Sequence, residues 1–216
     1  MTEPLRSTND PVNAREREVR ERCATGEVAD ATTLALRLYG RELFQFLLHT
    51  HRDEQAASDV FALVAEDTWR GMASFRWEST LRAWMYSIAR NASHQLRKSQ
   101  RKHARSIPMS DKENVFLEVA DQIRTETLTF LRTESRSALD RLREELTVDE
   151  RMLLSLRVDR GLSWPDIAAV YEAEASDTEA DPKKRAVRLR KRFQLLKDRL
   201  RKRGRELGIL PSGDVE

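Results

Sequence analysis

The sequence predicts an all-α protein made of two small helical domains joined by a flexible linker. Glycine and proline are scarce, at 7 and 6 of 216 residues, which argues against a sandwich or barrel full of tight turns. Leu, Ala, Arg and Glu dominate, and these residues favour helices. With 39% hydrophobic and 35% charged residues, the chain suits thin helical layers better than one thick core.

The first predicted domain spans residues 30–105 and follows a polar arm, residues 1–29, which is expected to be disordered or loosely helical. Asp30 is a candidate N-cap for its first helix. Apolar residues recur at helical spacing and divide the domain into three helices, at about 30–51, 54–71 and 81–101. The third helix has an apolar stripe and a basic polar face, so it is amphipathic.

Helical periodicity fades over residues 106–117, which predicts the linker between the domains. The second domain is expected at 118–207, followed by a short tail at 208–216. Inside it, Thr147 and Glu150 form a capping box, and Gly161 ends the helix that this box starts.

A helix-turn-helix is predicted near the end of the second domain. Ser163 begins a short helix with Pro165 in its first turn, and Asp181 begins a longer basic helix. In such a motif the first helix braces the second, which enters the major groove of DNA. With Leu189 and its neighbours buried, the opposite face should present basic residues: Lys184, Arg185, Arg188, Lys191 and Arg192.

Basic residues are concentrated in two segments. Residues 81–105 hold seven Lys/Arg and no acid, and residues 183–205 hold thirteen and one acid, Asp198. The rest of the chain keeps 19 basic and 35 acidic residues. Two basic segments on an acidic body predict two contacts with nucleic acid, although a single basic run is often only a solvated helix face.

Several function classes receive no support from the sequence. Cys23 is the only cysteine, so neither an internal disulfide nor a cysteine zinc cluster is expected. No nucleophile motif or phosphate-binding loop is present, so we expect neither catalysis nor a cofactor or metal. The polar N-terminus and the absence of an 18-residue apolar run predict a cytoplasmic protein that does not insert into membranes.

Two blocks of sequence resemble extracytoplasmic-function sigma factors of bacterial RNA polymerase. Residues 75–91, FRWESTLRAWMYSIARN, resemble their region two, which reads roughly FRG(D/E)(S/A)xxxxWLYxIAxN. Residues 156–168, LRVDRGLSWPDIA, are similar to the region-four pattern around (D/E)GLSxxEIA. The blocks occur in the family order and, with the stretches between them, cover about residues 31–205.

There are departures from the family pattern. Ala62 and Leu63 stand where the family has Gln-Glu, and the turn of the helix-turn-helix spans about ten residues, 172–181, instead of three or four. Residues 187–193, VRLRKRF, are more basic than the family's recognition helix.

The resemblance implies an alternative sigma factor that binds core RNA polymerase and directs promoter recognition, DNA melting and transcription initiation. Its second helix would bind the clamp of the polymerase's largest subunit through Asp59, Leu63, Glu66, Asp67 and Arg70. The loop before the third helix and the helix itself would melt the downstream element and hold the DNA through Arg76, Trp77, Ser79, Asn91, Arg90, Arg97, Lys98 and Arg101. The basic helix would read the upstream element, and family members commonly have an anti-sigma factor as a further partner.

Two other readings stay open at this point. The chain could be a stand-alone dimeric helix-turn-helix transcriptional regulator, which would bind a palindrome unaided. It could also be an interaction adaptor that binds neither DNA nor polymerase. A sigma factor differs from both because it needs core polymerase to bind promoter DNA.

Overall fold

The computed structural model describes residues 11–99, 114–131, 142–172 and 181–209, and within these ranges the protein is all-helical. The predicted all-α class is therefore confirmed. In chain order the helices are α1 (Pro11–Ala24), α2 (Val28–His51), α3 (Glu54–Met72), α4 (Leu81–Ser99), α5 (Asn114–Leu131), α6 (Val148–Leu154), α7 (Trp164–Val170) and α8 (Pro182–Glu206).

Helix α2 is the centre of the N-terminal half, with α1, α3, α4 and α5 packed around it. Leu36, Leu43 and Leu47 are fully buried along its length, because apolar residues three or four apart share one face of a helix. Phe44 meets Phe61 of α3 with ring centroids 5.2 Å apart. These contacts hold α3 and α4, which carry half of the predicted functional residues, on one apolar core.

The start of the chain differs from expectation. Part of the predicted arm forms α1, which packs on α2 and buries Val19 completely. Asp30 is not an N-cap: α2 begins at Val28, with Glu27 in the N-cap position and no side-chain cap bond. Asp30 lies in the first turn instead, where a carboxylate interacts favourably with the helix dipole.

Helix α5 packs against α2 and α3. Gly40 permits this contact, because a Cβ at that position would lie 2.7 Å from Ile123 Cδ1. Most of the predicted linker lies outside the described residues, and α5 already begins at Asn114. The domain boundaries therefore stay a prediction, although α5, assigned to the second domain, adjoins the N-terminal helices.

The predicted helix ends of the C-terminal half are confirmed. Thr147 and Glu150 form the capping box of α6, which continues as a π-helical turn over Ser155–Asp159. Gly161 then takes φ 63°, a left-handed conformation that glycine adopts without strain. Ser163 caps α7 by accepting from Asp166 N–H, and Asp181 caps α8 by accepting from Lys183 N–H.

The two halves of the chain touch. Helix α4 packs on α7, and α2 contacts α6. Arg82 donates to both carboxylate oxygens of Glu42, at 2.7 and 3.0 Å, and also to the carbonyl of Arg160, at 3.0 Å. Arg52 and Glu144 add an ion pair of 2.6 Å. In the part of the chain that the structure describes, no helix combines the length and apolar character that a membrane crossing requires.

Candidate nucleic-acid interface

A stack of aromatic rings shapes the loop between α3 and α4. Phe75 lies nearly parallel to Trp84 of α4, with ring centroids 4.5 Å apart and an interplanar angle of 18°. Trp77 also contacts Phe75, with ring centroids 4.7 Å apart. Gly71 makes room for this stack, because a Cβ there would lie 2.9 Å from Trp84 Cζ2. Phe75 and Trp84 are partly buried against the core, so they anchor the loop to the start of α4.

Trp77 is held in an unusual backbone conformation. Its φ is 60°, in the left-handed region, where a bulky side chain is strained by about 1–3 kcal/mol. Strain of this kind persists only where surrounding contacts fix it, and such positions cluster at binding sites. The family pattern quoted above has glycine at this position, which is the sequence signal that could have revealed the conformation.

Three of the predicted melting residues line one cleft of about 860 Å³. Arg76, Trp77 and Ser79 come from the loop, and Asp166 of α7 lines the same cleft and accepts from the Thr80 hydroxyl at 3.2 Å. Asn91 is not among the described residues that line this cleft, since it lies ten residues beyond the start of α4, about 15 Å along the helix.

Arg90 does not lie on an exposed basic face as predicted. It is 1% exposed, and its guanidinium carbon lies 4.0 Å from the ring centroid of Tyr171, a cation–π contact. Nearby, His94 Nε2 lies 3.3 Å from Asp149 Oδ1. The cause is the packing of the C-terminal helices on α4, which periodicity along α4 alone cannot reveal. A phosphate contact by Arg90 stays a prediction, and it requires Tyr171 to move away.

Three further basic residues assigned to this face receive no structural description. The side chains of Arg97 and Lys98, and the whole of Arg101, lie outside the described residues. The same is true of residues 173–180, most of the acidic insertion before α8.

The predicted polymerase-binding residues lie together on α3. Asp59 and Arg70 are exposed, and Leu63 is partly buried against the core. Glu66 forms an ion pair with Arg70, one helical turn away. Burial raises the pKa of the Asp67 carboxyl above its usual range, and the neighbouring charge of Glu66 raises it further. The face is therefore acidic with one apolar side chain in its middle.

Helices α7 and α8, the two helices of the predicted helix-turn-helix, pack against each other. Leu189 and Leu196 of α8 are 2% and 4% exposed, and Phe193 meets Trp164 of α7 edge to face, with centroids 5.6 Å apart. Four of the five predicted basic residues are exposed on the other side of α8: Lys184, Arg188, Lys191 and Arg192.

Arg185 is the exception, and its predicted exposure is wrong. It is 2% exposed and donates from Nη1 to the carbonyl oxygen of Ala168, 3.1 Å away, at the end of α7. It lies four residues before Leu189, so it belongs to the stripe that faces α7. The four-residue spacing from Leu189 was visible in the sequence, but the charge of Arg185 favoured the prediction of an exposed side chain.

The buried position of Arg185 predicts a stability effect rather than a direct DNA effect. Arg185→Ala should destabilise the chain by about 1–3 kcal/mol, because the charge-assisted bond to Ala168 is lost. Thermal unfolding followed by circular dichroism measures this, with exposed Lys184→Ala as the matched control. Equal melting temperatures for the two variants would contradict the structural role.

Two side chains at this interface were not predicted. Glu16 and Arg20 of α1 line the same cleft as the loop, and the Arg20 guanidinium carbon lies 5.5 Å from the centroid of the Trp77 ring. Apolar residues are sparse in this segment, and no sequence signal connected it with the loop.

Comparison with known proteins finds relatives of part of this chain. Residues 35–103, which hold most of α2, all of α3 and α4 and the aromatic loop, match the family described as Sigma-70 region 2. The chain is 27% identical over 157 residues to the RNA polymerase sigma-H factor of Pseudomonas aeruginosa, covering 70% of this chain and 80% of that protein. No solved structure matches the chain.

The helical fold and these matches define the class: residues 35–103 form a Sigma-70 region 2 domain, and the chain is a sigma factor that directs transcription initiation by RNA polymerase. The similarity to the sigma-H factor supports a sigma factor of the extracytoplasmic-function type.

Proposed function

We propose that this sigma factor binds core RNA polymerase through α3, opens promoter DNA at the loop before α4, and reads the upstream promoter element with α8. The region 2 match, which covers α3, the loop and α4, is the observation that carries the proposal. The order of these surfaces along the chain, with α8 in the predicted second domain at 118–207, matches the division of labour that the resemblance implies.

The acidic face of α3 is suited to a basic helix of the polymerase clamp. Complementary charge steers association and selects the partner, and an apolar residue near the centre supplies area that can be fully desolvated. Leu63 has that central position between Asp59 and Glu66. An anti-sigma factor that silences the chain would act by covering this face or the basic face of α8.

The aromatic loop is suited to an unpaired base. Opening a duplex costs a few kcal/mol per flipped base, and stacking on an aromatic ring with polar groups around it recovers that energy. Trp77 offers the ring, and Arg76 and Ser79 offer polar groups in the same cleft. Asn91, Arg97, Lys98 and Arg101 would act further along the strand, and Arg90 would join them once Tyr171 has moved.

The exposed side of α8 is suited to duplex DNA. Arginine can donate two hydrogen bonds to the edge of guanine, and lysine neutralises phosphate. Arg188 lies one turn after Lys184 and one turn before Lys191 and Arg192, so all four side chains can face one groove.

Reconstituted transcription tests the proposal. Core polymerase, the purified chain and a candidate promoter from its own operon should give a specific transcript, and neither protein alone should give one. A chain that binds a palindromic site without polymerase and yields no transcript would instead be a stand-alone regulator. A chain that binds neither DNA nor polymerase would be an adaptor.

A further inference from the structure

We propose that α1 is part of the DNA-opening site, with Arg20 as a positioning residue that holds the Trp77 ring ready to stack on an unpaired base. The proposal rests on the proposed function of the aromatic loop. It adds a segment outside the matched residues 35–103 to that site.

Helix α1 is fixed on the protein and not merely adjacent to it. Val19 is fully buried in the common core. The Tyr39 hydroxyl of α2 donates to the carboxylate of Glu16, and burial followed by this contact raises the pKa of Tyr39. Glu16 is one turn before Arg20, so this bond fixes the helix at the turn from which Arg20 projects.

Arg20 meets Trp77 at the point of strain in the loop. Phe75 packs beside the indole at 4.7 Å, and the Arg20 guanidinium lies over its ring at 5.5 Å. A φ of 60° is unfavourable for tryptophan, so these contacts must offset the strain for the ring to keep its place. A glycine would adopt this φ without strain, but it would supply no stacking surface.

The position of Arg20 also suits the chemistry of single-stranded DNA. Arg20 is exposed and lines the cleft together with Arg76 and Ser79. A base that stacks on Trp77 needs the ring in one place, and the Arg20 guanidinium, 5.5 Å from the ring centroid, restricts the ring to that place. The guanidinium therefore prepares the ring before DNA arrives, which lowers the ordering cost at the moment of opening.

Holoenzyme carrying Arg20→Gln tests the inference, with Arg17→Gln, an exposed arginine of the same helix that does not line the cleft, as the matched control. A fluorescent base analogue at the unpaired position of the promoter reports opening. Arg20→Gln should reduce the equilibrium constant for opening about two- to fivefold, the range of an exposed cation–π contact. Arg20→Lys should recover part of the loss, and polymerase binding should stay unchanged for all three variants.

A second comparison separates positioning from simple charge attraction. In a Trp77→Ala background, which should itself lower opening roughly five- to a hundredfold, Arg20→Gln should have no additional effect, because its partner is gone. An undiminished effect in that background, or equal opening by Arg20→Gln and Arg17→Gln, overturns the inference. Absence of any opening by wild-type holoenzyme would contradict the proposed function instead.

Discussion

Reversing the charge of both Arg188 and Arg192 should abolish recognition of the upstream promoter element and leave binding to core polymerase intact. Both side chains are exposed on α8, opposite the stripe that packs on α7. A base contact of this kind contributes about 1–3 kcal/mol, so loss of two contacts should weaken specific binding at least about thirtyfold. Footprinting with holoenzyme measures the upstream contact, and a pull-down with core polymerase measures the other activity.

The control for this variant carries the same change of charge further along the same helix. Lys202→Glu combined with Arg205→Glu alters two exposed basic residues near the end of α8. It should weaken general DNA attraction at low salt but preserve the upstream footprint. If the Arg188 and Arg192 variant instead loses polymerase and still protects the upstream element, the roles assigned to the two halves of the chain are wrong.

Reversing the charge of Asp59 and Glu66 should abolish binding to core polymerase. The two residues lie on either side of Leu63 on α3, so lysines there would face a basic partner helix with like charge. Loss of a hot-spot residue at the centre of an interface costs about 2 kcal/mol or more, and we therefore expect the two changes together to lower affinity about a thousandfold. Association of the labelled chain with core polymerase, followed by fluorescence anisotropy, gives the affinity directly.

A variant with an equal change of net charge separates this effect from bulk electrostatics. Glu118→Lys combined with Glu126→Lys changes two exposed acids on α5. It should retain polymerase affinity within a few-fold. Circular dichroism checks that α3 remains folded, since Glu66 also pairs with Arg70. Equal loss of affinity in both variants would remove the α3 face from the proposed interface.

Local signals in the sequence were sufficient for most helix ends. Thr147, Ser163 and Asp181 cap their helices as predicted, because a cap depends on residues within one turn of itself. The prediction that Asp30 caps α2 was wrong, because a local signal does not include tertiary contacts. Helix α2 begins at Val28, before Asp30, and α1 packs on it.

Contacts between distant segments could not be predicted in this way. The charges of Arg90 and Arg185 predicted exposed side chains, yet both are buried. Arg90 lies against Tyr171, and Arg185 donates to the carbonyl oxygen of Ala168 in α7. The left-handed Trp77 and its partner Arg20 belong to the same group, because they are 57 positions apart and no periodicity relates them. The family resemblance located the loop, and only the tertiary arrangement adds α1 to it.

The contact between Arg90 and Tyr171 links the affinity for DNA to the fraction of protein molecules in which α4 and α7 have separated. If Arg90 holds a phosphate, the guanidinium must leave the Tyr171 ring, so only the fraction of molecules with α4 and α7 apart is competent. Apparent affinity falls in proportion to that fraction, and a partner that holds the helices apart restores it. A ligand that prefers the form with α4 packed on α7 weakens DNA binding by some factor. By thermodynamic reciprocity, DNA weakens the binding of that ligand by the same factor.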